Sequence, residues 1–259
     1  MLRSPAGAAA FVLVSALLLA SCNQFFSVNL FQQAGLGQQS TPSASALATM
    51  SVSDLQSLAE SPSFYTDLSN DATKKGAVLT NLQGAYSSPS NSVSTIQSAA
   101  ALYADVQLNT TDGAAIVAGL VSAAATTNIS GLGPSTIVSF IKATLPADVL
   151  ADSTGTKFAQ AVDAILAAKP AYDAIGATIQ TSGWTGGTST IGDVAQGALL
   201  AYALAGTATS NGPAGGPPNV TDLWTMINGT GSATVTSFTT PNSSNLSAIL
   251  TAAHSPYTF

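Results

Sequence analysis

The chain has 259 residues, 46% of them hydrophobic and only 7% charged, with six basic side chains against twelve acidic ones. A typical globular chain carries about 25% charged residues, yet this chain is too hydrophobic for the disordered class, so Ser, Thr, Asn and Gln must wet its surface. The balance excludes nucleic acid as a partner, because phosphates need a basic face, and it disfavours a polybasic lipid-headgroup site for the same reason.

Residues 1–21 read as a targeting segment. Arg3 supplies a short positive start, Ala8 to Ala20 is almost unbroken apolar sequence, and the small residues Ala20 and Ser21 follow. The apolar run is too short for a membrane span, which needs about 20 residues. Cys22, the only cysteine, comes next. Leu19-Ala20-Ser21-Cys22 resembles a bacterial lipobox: a bulky aliphatic residue, two small residues, then the cysteine whose thiol is the acylated nucleophile. The resemblance implies diacylglycerol on the Cys22 sulfur, cleavage after Ser21 and acylation of the freed amine. It also implies a partner, the membrane, held through acylated Cys22. Buried methylenes contribute about 0.8 kcal/mol each, so two or three acyl chains anchor firmly where one does not. Asn23 stands where an aspartate would, by the usual sorting rule of diderm bacteria, retain a lipoprotein in the inner membrane. The expected location is therefore the cell envelope, lipid-anchored on the outer membrane. With Cys22 used as an anchor, the mature body has no thiol left for a disulfide, a nucleophile or a metal.

Residues 22–50 read as a flexible tether, Gln-, Ser- and Ala-rich with Gly35, Gly37 and Pro42. A coil of that length spans about 30 Å. Within it "FFSVNLF" (Phe25 to Phe31) is expected at the membrane interface or docked on the domain.

Residues 51–205 are expected to form a helical domain. "SVSDLQSLAES" opens on Ser51 or Ser53 as N-cap with Asp54 in the first turn, and "SPSFYTDLSN" places Pro62 at a favoured first helical position. "DATKKGAVLTNLQGAY" sets Ala77, Val78, Leu79 and Leu82 on one face, and "SVSTIQSAAALYADVQL" repeats the pattern with Ile96, Ala99, Ala100, Leu102, Tyr103 and Val106. "TTDGAAIVAGLVSAAATT" and "GPSTIVSFIKATL" continue it. The long "STGTKFAQAVDAILAAKPAYDAIGATIQ" is expected to bend or break at Pro170. "TIGDVAQGALLAYALAG" is the most apolar helix and reads as fully buried; Gly197, Ala201 and Ala205 give it a small-residue face for close helix approach. Residues 206–219 read as a Gly/Pro-rich loop. Residues 220–259 read as C-terminal helices packing on the same domain, with "SATVTSFTT" extended between them. The expected fold is all-α, an irregular stack of short helical hairpins in a bundle or solenoid-like arrangement. The echoes "FYTDL", "LYADV" and "AYDAI" do not lock to one repeat period.

Candidate chemistry is sparse. His254, the only histidine, lies five residues from the end, where a helix C-terminus favours its positive charge over any catalytic duty. "SFIK" (139–142) matches the Ser-x-x-Lys pattern of penicillin-recognising enzymes but lacks the supporting Lys-Thr-Gly and Ser-Asp-Asn elements. No catalytic residue, metal ligand set or cofactor is assigned. Asp54, Asp112, Asp148, Asp193 and Asp222 fall at helix starts, where acids stabilise exposed amides. Aspartate inside a helix is a poor former, so the pairs Tyr65/Asp67, Tyr103/Asp105 and Tyr172/Asp173 stand out. Together with Trp184 on the loop "SGWTGG" they form a candidate ligand set, set against a solvated helix face and buried loop packing as the plainer roles. The expected function is a lipid-anchored, non-enzymatic interaction or scaffold domain with an envelope protein partner. The alternative is a small-ligand-binding accessory lipoprotein for a transport system.

Overall fold

Among the described residues of the computed structural model, seven helices begin on a side chain that accepts from a backbone amide in the first turn. Ser43, Ser51, Asp71, Ser92, Thr190, Asn219 and Ser243 each play this part. Such caps satisfy donors that the helix itself cannot, which is why Ser, Thr, Asn and Asp mark these starts. The structure describes residues 41–61, 63–126, 133–186, 190–213, 217–239 and 243–255.

In chain order the helices are α1 (Ala44–Leu47), α2 (Val52–Ala59), α3 (Phe64–Asn70), α4 (Ala72–Ser87), α5 (Val93–Asn109), α6 (Gly113–Thr126), α7 (Ile137–Thr144), α8 (Ala147–Leu150), α9 (Thr156–Ser182), α10 (Ile191–Ala205), α11 (Val220–Asn228) and α12 (Ser244–Ala252). Two short strands, β1 (Thr207–Thr209) and β2 (Val235–Phe238), pair antiparallel, with Thr207 opposite Phe238 and an irregularity between Ala208 and Thr209. The fold is all-α, a stack of helices carrying this one small ribbon. Within "SATVTSFTT", read as extended, Val235–Phe238 forms a strand. The strand at Thr207–Thr209 was not visible in the sequence, which reads there as loop. Thr207 and Thr209 turn their β-branched side chains into the protein, and β2 completes the pairing from 26 or more residues downstream.

α9 is the central strut. It packs most extensively against α5 and α12 and also against α10. It runs unbroken through Pro170, so the expected break does not occur. Pro170 is exposed, and the flanking apolar residues Ala168, Ala171 and Tyr172 are buried, so tertiary packing outweighs the missing donor. α10 meets α9 closely. A methyl group on Gly197 would stand 2.1 Å from the Tyr172 hydroxyl, and residues 197–204 of α10 are buried without interruption. The core is one cluster running from Leu47 to Leu250.

The boundary of the expected tether moves. Leu47 is fully buried, Asn81 donates to the carbonyls of Leu47 and Met50 at 2.8 and 2.9 Å, and Thr41 is already tied to the domain. Residues 41–50 therefore belong to the folded body, because Leu47 fills a core position that the composition of the segment conceals. The targeting segment, Cys22, Phe25–Phe31 and Pro62 lie outside the described residues.

Candidate functional site

The seven candidate ligand residues divide among five places. Asp67 accepts from the Thr41 hydroxyl at 2.6 Å and from its amide at 3.3 Å, while Lys74 donates to the Thr41 carbonyl at 3.2 Å. It is a clasp for the incoming chain.

Tyr103 stacks edge-on against Tyr86 with ring centroids 5.4 Å apart, and its hydroxyl accepts from Gln107 at 3.2 Å. Burial, followed by the influence of Tyr103, pushes the Tyr86 hydroxyl up to about 12. Both rings are core, not a platform for a ligand.

Tyr65, Asp105 and Tyr172 do come together, from α3, α5 and α9. Burial raises both hydroxyls above their ordinary value, and the Asp105 carboxylate raises each further, which places Asp105 within electrostatic reach of both. Tyr172 is only 2% exposed. Its hydroxyl lies tight against Gly197 of α10, while Tyr65 and Asp105 are partly exposed.

Asp173 belongs elsewhere. Lys169, one turn before it, donates to its carboxylate at 2.9 Å and stands 4.3 Å over the Tyr202 ring. The Tyr202 hydroxyl donates to the same carboxylate. Burial first, then that bond, holds the hydroxyl above its ordinary value. The ion pair, the ring and the hydroxyl bind α9 to α10.

Trp184 is half-buried and lies against Gly186, where a Cβ would meet its ring at 2.6 Å. The loop that carries it is held by Gln97, fully buried on α5. The Gln97 amide donates to the Gly183 carbonyl at 2.7 Å and to the Thr178 hydroxyl at 3.1 Å. It accepts from the Thr185 amide at 2.7 Å and from the Thr185 hydroxyl at 3.0 Å. Every polar group of that side chain is used within the protein.

Sequence reasoning passed over Gln97, though it sits in "IQSAAALY" one turn before Ala100 and Ala101 on a buried face. A polar side chain at a core register position is the signal that could have found it. It also passed over Asp222 as a clamp. Asp222 accepts from the amide and the side chain of Asn211 at 2.8 and 2.7 Å, closing the turn that follows β1. Burial opposes its ionisation, but hydrogen bonds from Asn211, Thr209 and Ser210 outweigh burial and hold the carboxyl below its ordinary value.

Lys142, the lysine of "SFIK", donates to the Ile227 carbonyl at 2.9 Å, at the C-terminal end of α11. His254 is exposed and takes a left-handed conformation, φ 50°, just past α12. Ser255 donates back to the Leu250 carbonyl there, and His254 itself donates to Thr251. It acts as a helix stop. Among the described residues, no group of three or more His, Cys, Asp or Glu side chains could hold a metal ion, and no helix is long and apolar enough to cross a membrane.

An open groove of about 640 Å³ runs along α4, lined among others by Ala48, Gly76, Thr80, Asn81, Gly84 and Asn91. No charged side chain lines it. No protein family model matches the chain, and neither a curated protein nor a solved structure does.

Proposed function

We propose that this chain is a lipid-anchored lipoprotein of the cell envelope whose helical body is a non-enzymatic interaction or scaffold domain, fixed to the outer membrane through acylated Cys22. The observation that carries the scaffold half of this reading is the dispersal of the candidate ligand residues. Asp67 and Asp173 are each committed to holding elements of the body together. What remains on the outside is a hydroxyl- and amide-rich surface of low charge, suited to protein contact without electrostatic steering. The anchor half rests on the lipobox residues alone.

Two measurements test it. Intact-mass analysis of protein from its native host should give a chain beginning at Cys22 with added acyl mass, and Cys22→Ser should move the protein from the membrane fraction to the soluble one. An unmodified thiol or a retained leader overturns the anchor. Thermal-shift screening against sugars and small acids should leave Tm unchanged. A Tm rise that Trp184→Ala abolishes would favour the accessory ligand-binding role instead.

A further inference from the structure

Asparagine followed by glycine is a chemically labile step, because glycine brings no side chain to obstruct its own nitrogen as it approaches the asparagine carboxamide. The chain has two such steps, Asn211-Gly212 and Asn228-Gly229. Both asparagines are exposed, yet their surroundings differ. Asn211 is clamped by a buried carboxylate: its backbone amide and its side-chain amide donate to the two oxygens of Asp222 at 2.8 and 2.7 Å, and Asp222 is 5% exposed. Gly212 is crowded, since a Cβ there would stand 2.9 Å from the Thr209 hydroxyl and 3.3 Å from the Asn219 nitrogen. Asn228 is the last residue of α11, and its carboxamide has no hydrogen-bond partner among the described residues. Gly229 closes the helix in a left-handed conformation, φ 66°, where a Cβ would meet nothing within 4 Å.

We propose that Asn228-Gly229 is a site of spontaneous deamidation, a covalent modification from which Asn211-Gly212 is protected by its clamp. The Gly229 amide is tied to the Met226 and Thr225 carbonyls, and Thr230 donates to Thr225 at 3.0 Å, so the last turn of α11 opens before the reaction. Terminal turns are the least costly part of a helix to open. The Gly229 nitrogen then loses its proton and attacks the side-chain carbonyl carbon of Asn228. A new carbon–nitrogen bond closes a succinimide ring, the bond to the side-chain nitrogen breaks, and that nitrogen leaves as ammonia. Water opens the ring at either carbonyl, giving aspartate or isoaspartate; one water is consumed, one ammonia is released, and nothing is oxidised or reduced. The field at the two steps has opposite sign. Lys142, bonded to the adjacent Ile227 carbonyl at 2.9 Å, sets positive charge beside the residue on which the oxyanion develops. At Asn211 the same oxyanion would form beside the Asp222 carboxylate, after two hydrogen bonds to it had been broken. The product carries one more negative charge at a helix C-terminus, where the dipole disfavours it, one residue from the Lys142 bond that ties α7 to α11. Neither the anchor nor the scaffold reading enters this inference, so it stands or falls separately from both.

Peptide mass spectrometry of the folded full-length protein, aged at mildly alkaline pH in heavy-oxygen water, tests it. The expected result is conversion of Asn228 to aspartate and isoaspartate with one heavy oxygen incorporated, at about ten times the rate at Asn211 or more. In urea, where the clamp is gone, the two steps should convert at similar rates. No conversion at Asn228, or conversion at Asn211 as fast or faster in the folded protein, overturns the proposal. A difference that persists in urea belongs to the neighbouring residues Pro213 and Thr230 instead, and overturns the protective role of Asp222.

Discussion

Asp193 and Asp222 are two buried carboxylates in the first turns of their helices, and they respond oppositely to pH. Asp193, 5% exposed, accepts from Thr190 on one oxygen while its Oδ1 has no partner among the described residues, and burial raises its pKa. The folded state then binds the proton more tightly than the unfolded chain. The stability this gives is complete below the ordinary carboxylate range and is lost as pH rises through the folded value. Asp222, held below its ordinary value, contributes stability above that range and loses it as pH falls through its folded value. Asp193→Asn should therefore flatten the fall in Tm above about pH 4 and raise stability at pH 7 by roughly 1 kcal/mol, read by thermal unfolding from pH 4 to 8 at fixed ionic strength. At Gln97 the direction is reversed. Gln97→Ala removes four hydrogen bonds that dock the Trp184 loop onto α5, and urea denaturation should show a loss of about 2 kcal/mol.

At the scale of the element, helix starts were legible because a cap is a local event. Ser51, Thr190 and Asn219 each bond an amide three residues on, and no distant residue decides it. Continuity was less legible. Pro170 reads as a bend or break in α9, yet the helix persists with its buried face packed against α5, α10 and α12. Strand β1 was invisible for the same reason: three residues, Thr-Ala-Thr, become a strand only when Val235–Phe238 returns beside them. Helix spacing supplies a prediction. A Cβ at position 119 would lie 2.1 Å from the Thr144 carbonyl oxygen, so Gly119→Ala forces α6 and α7 apart and should cost about 2–3 kcal/mol, despite alanine's better helix propensity. A Tm equal to or above the parent's would mean that the two helices are not so close.

For the whole molecule, one apolar cluster joins Leu47 at the start of the described body to Leu250 near its end, and α12 lies directly on α9 at Gly176. Nothing in that core separates residues 220–255 as an independent unit. Calorimetric unfolding of the protein should give a single transition, and two resolved transitions would show that the C-terminal helices melt on their own. The body also begins earlier than composition suggests. Residues 41–50 are docked on it through Leu47, Asn81 and the Thr41–Asp67 bond.

Composition and short-range pattern determined that this protein is helical, where most helices begin, and that its surface is wetted by hydroxyls and amides. Each of these is set by residues within one or two turns of each other or by bulk charge. Which aspartate meets which tyrosine was decided only by tertiary structure. Asp67 reaches back to Thr41, Asp105 lies within reach of Tyr65 and Tyr172, and Asp173 engages Lys169 and Tyr202. Such meetings depend on how closely α5, α9 and α10 approach, and that distance is set by glycines and alanines whose partners lie tens of residues away. Matching Tyr–Asp spacing along the chain therefore carried no information about convergence in space.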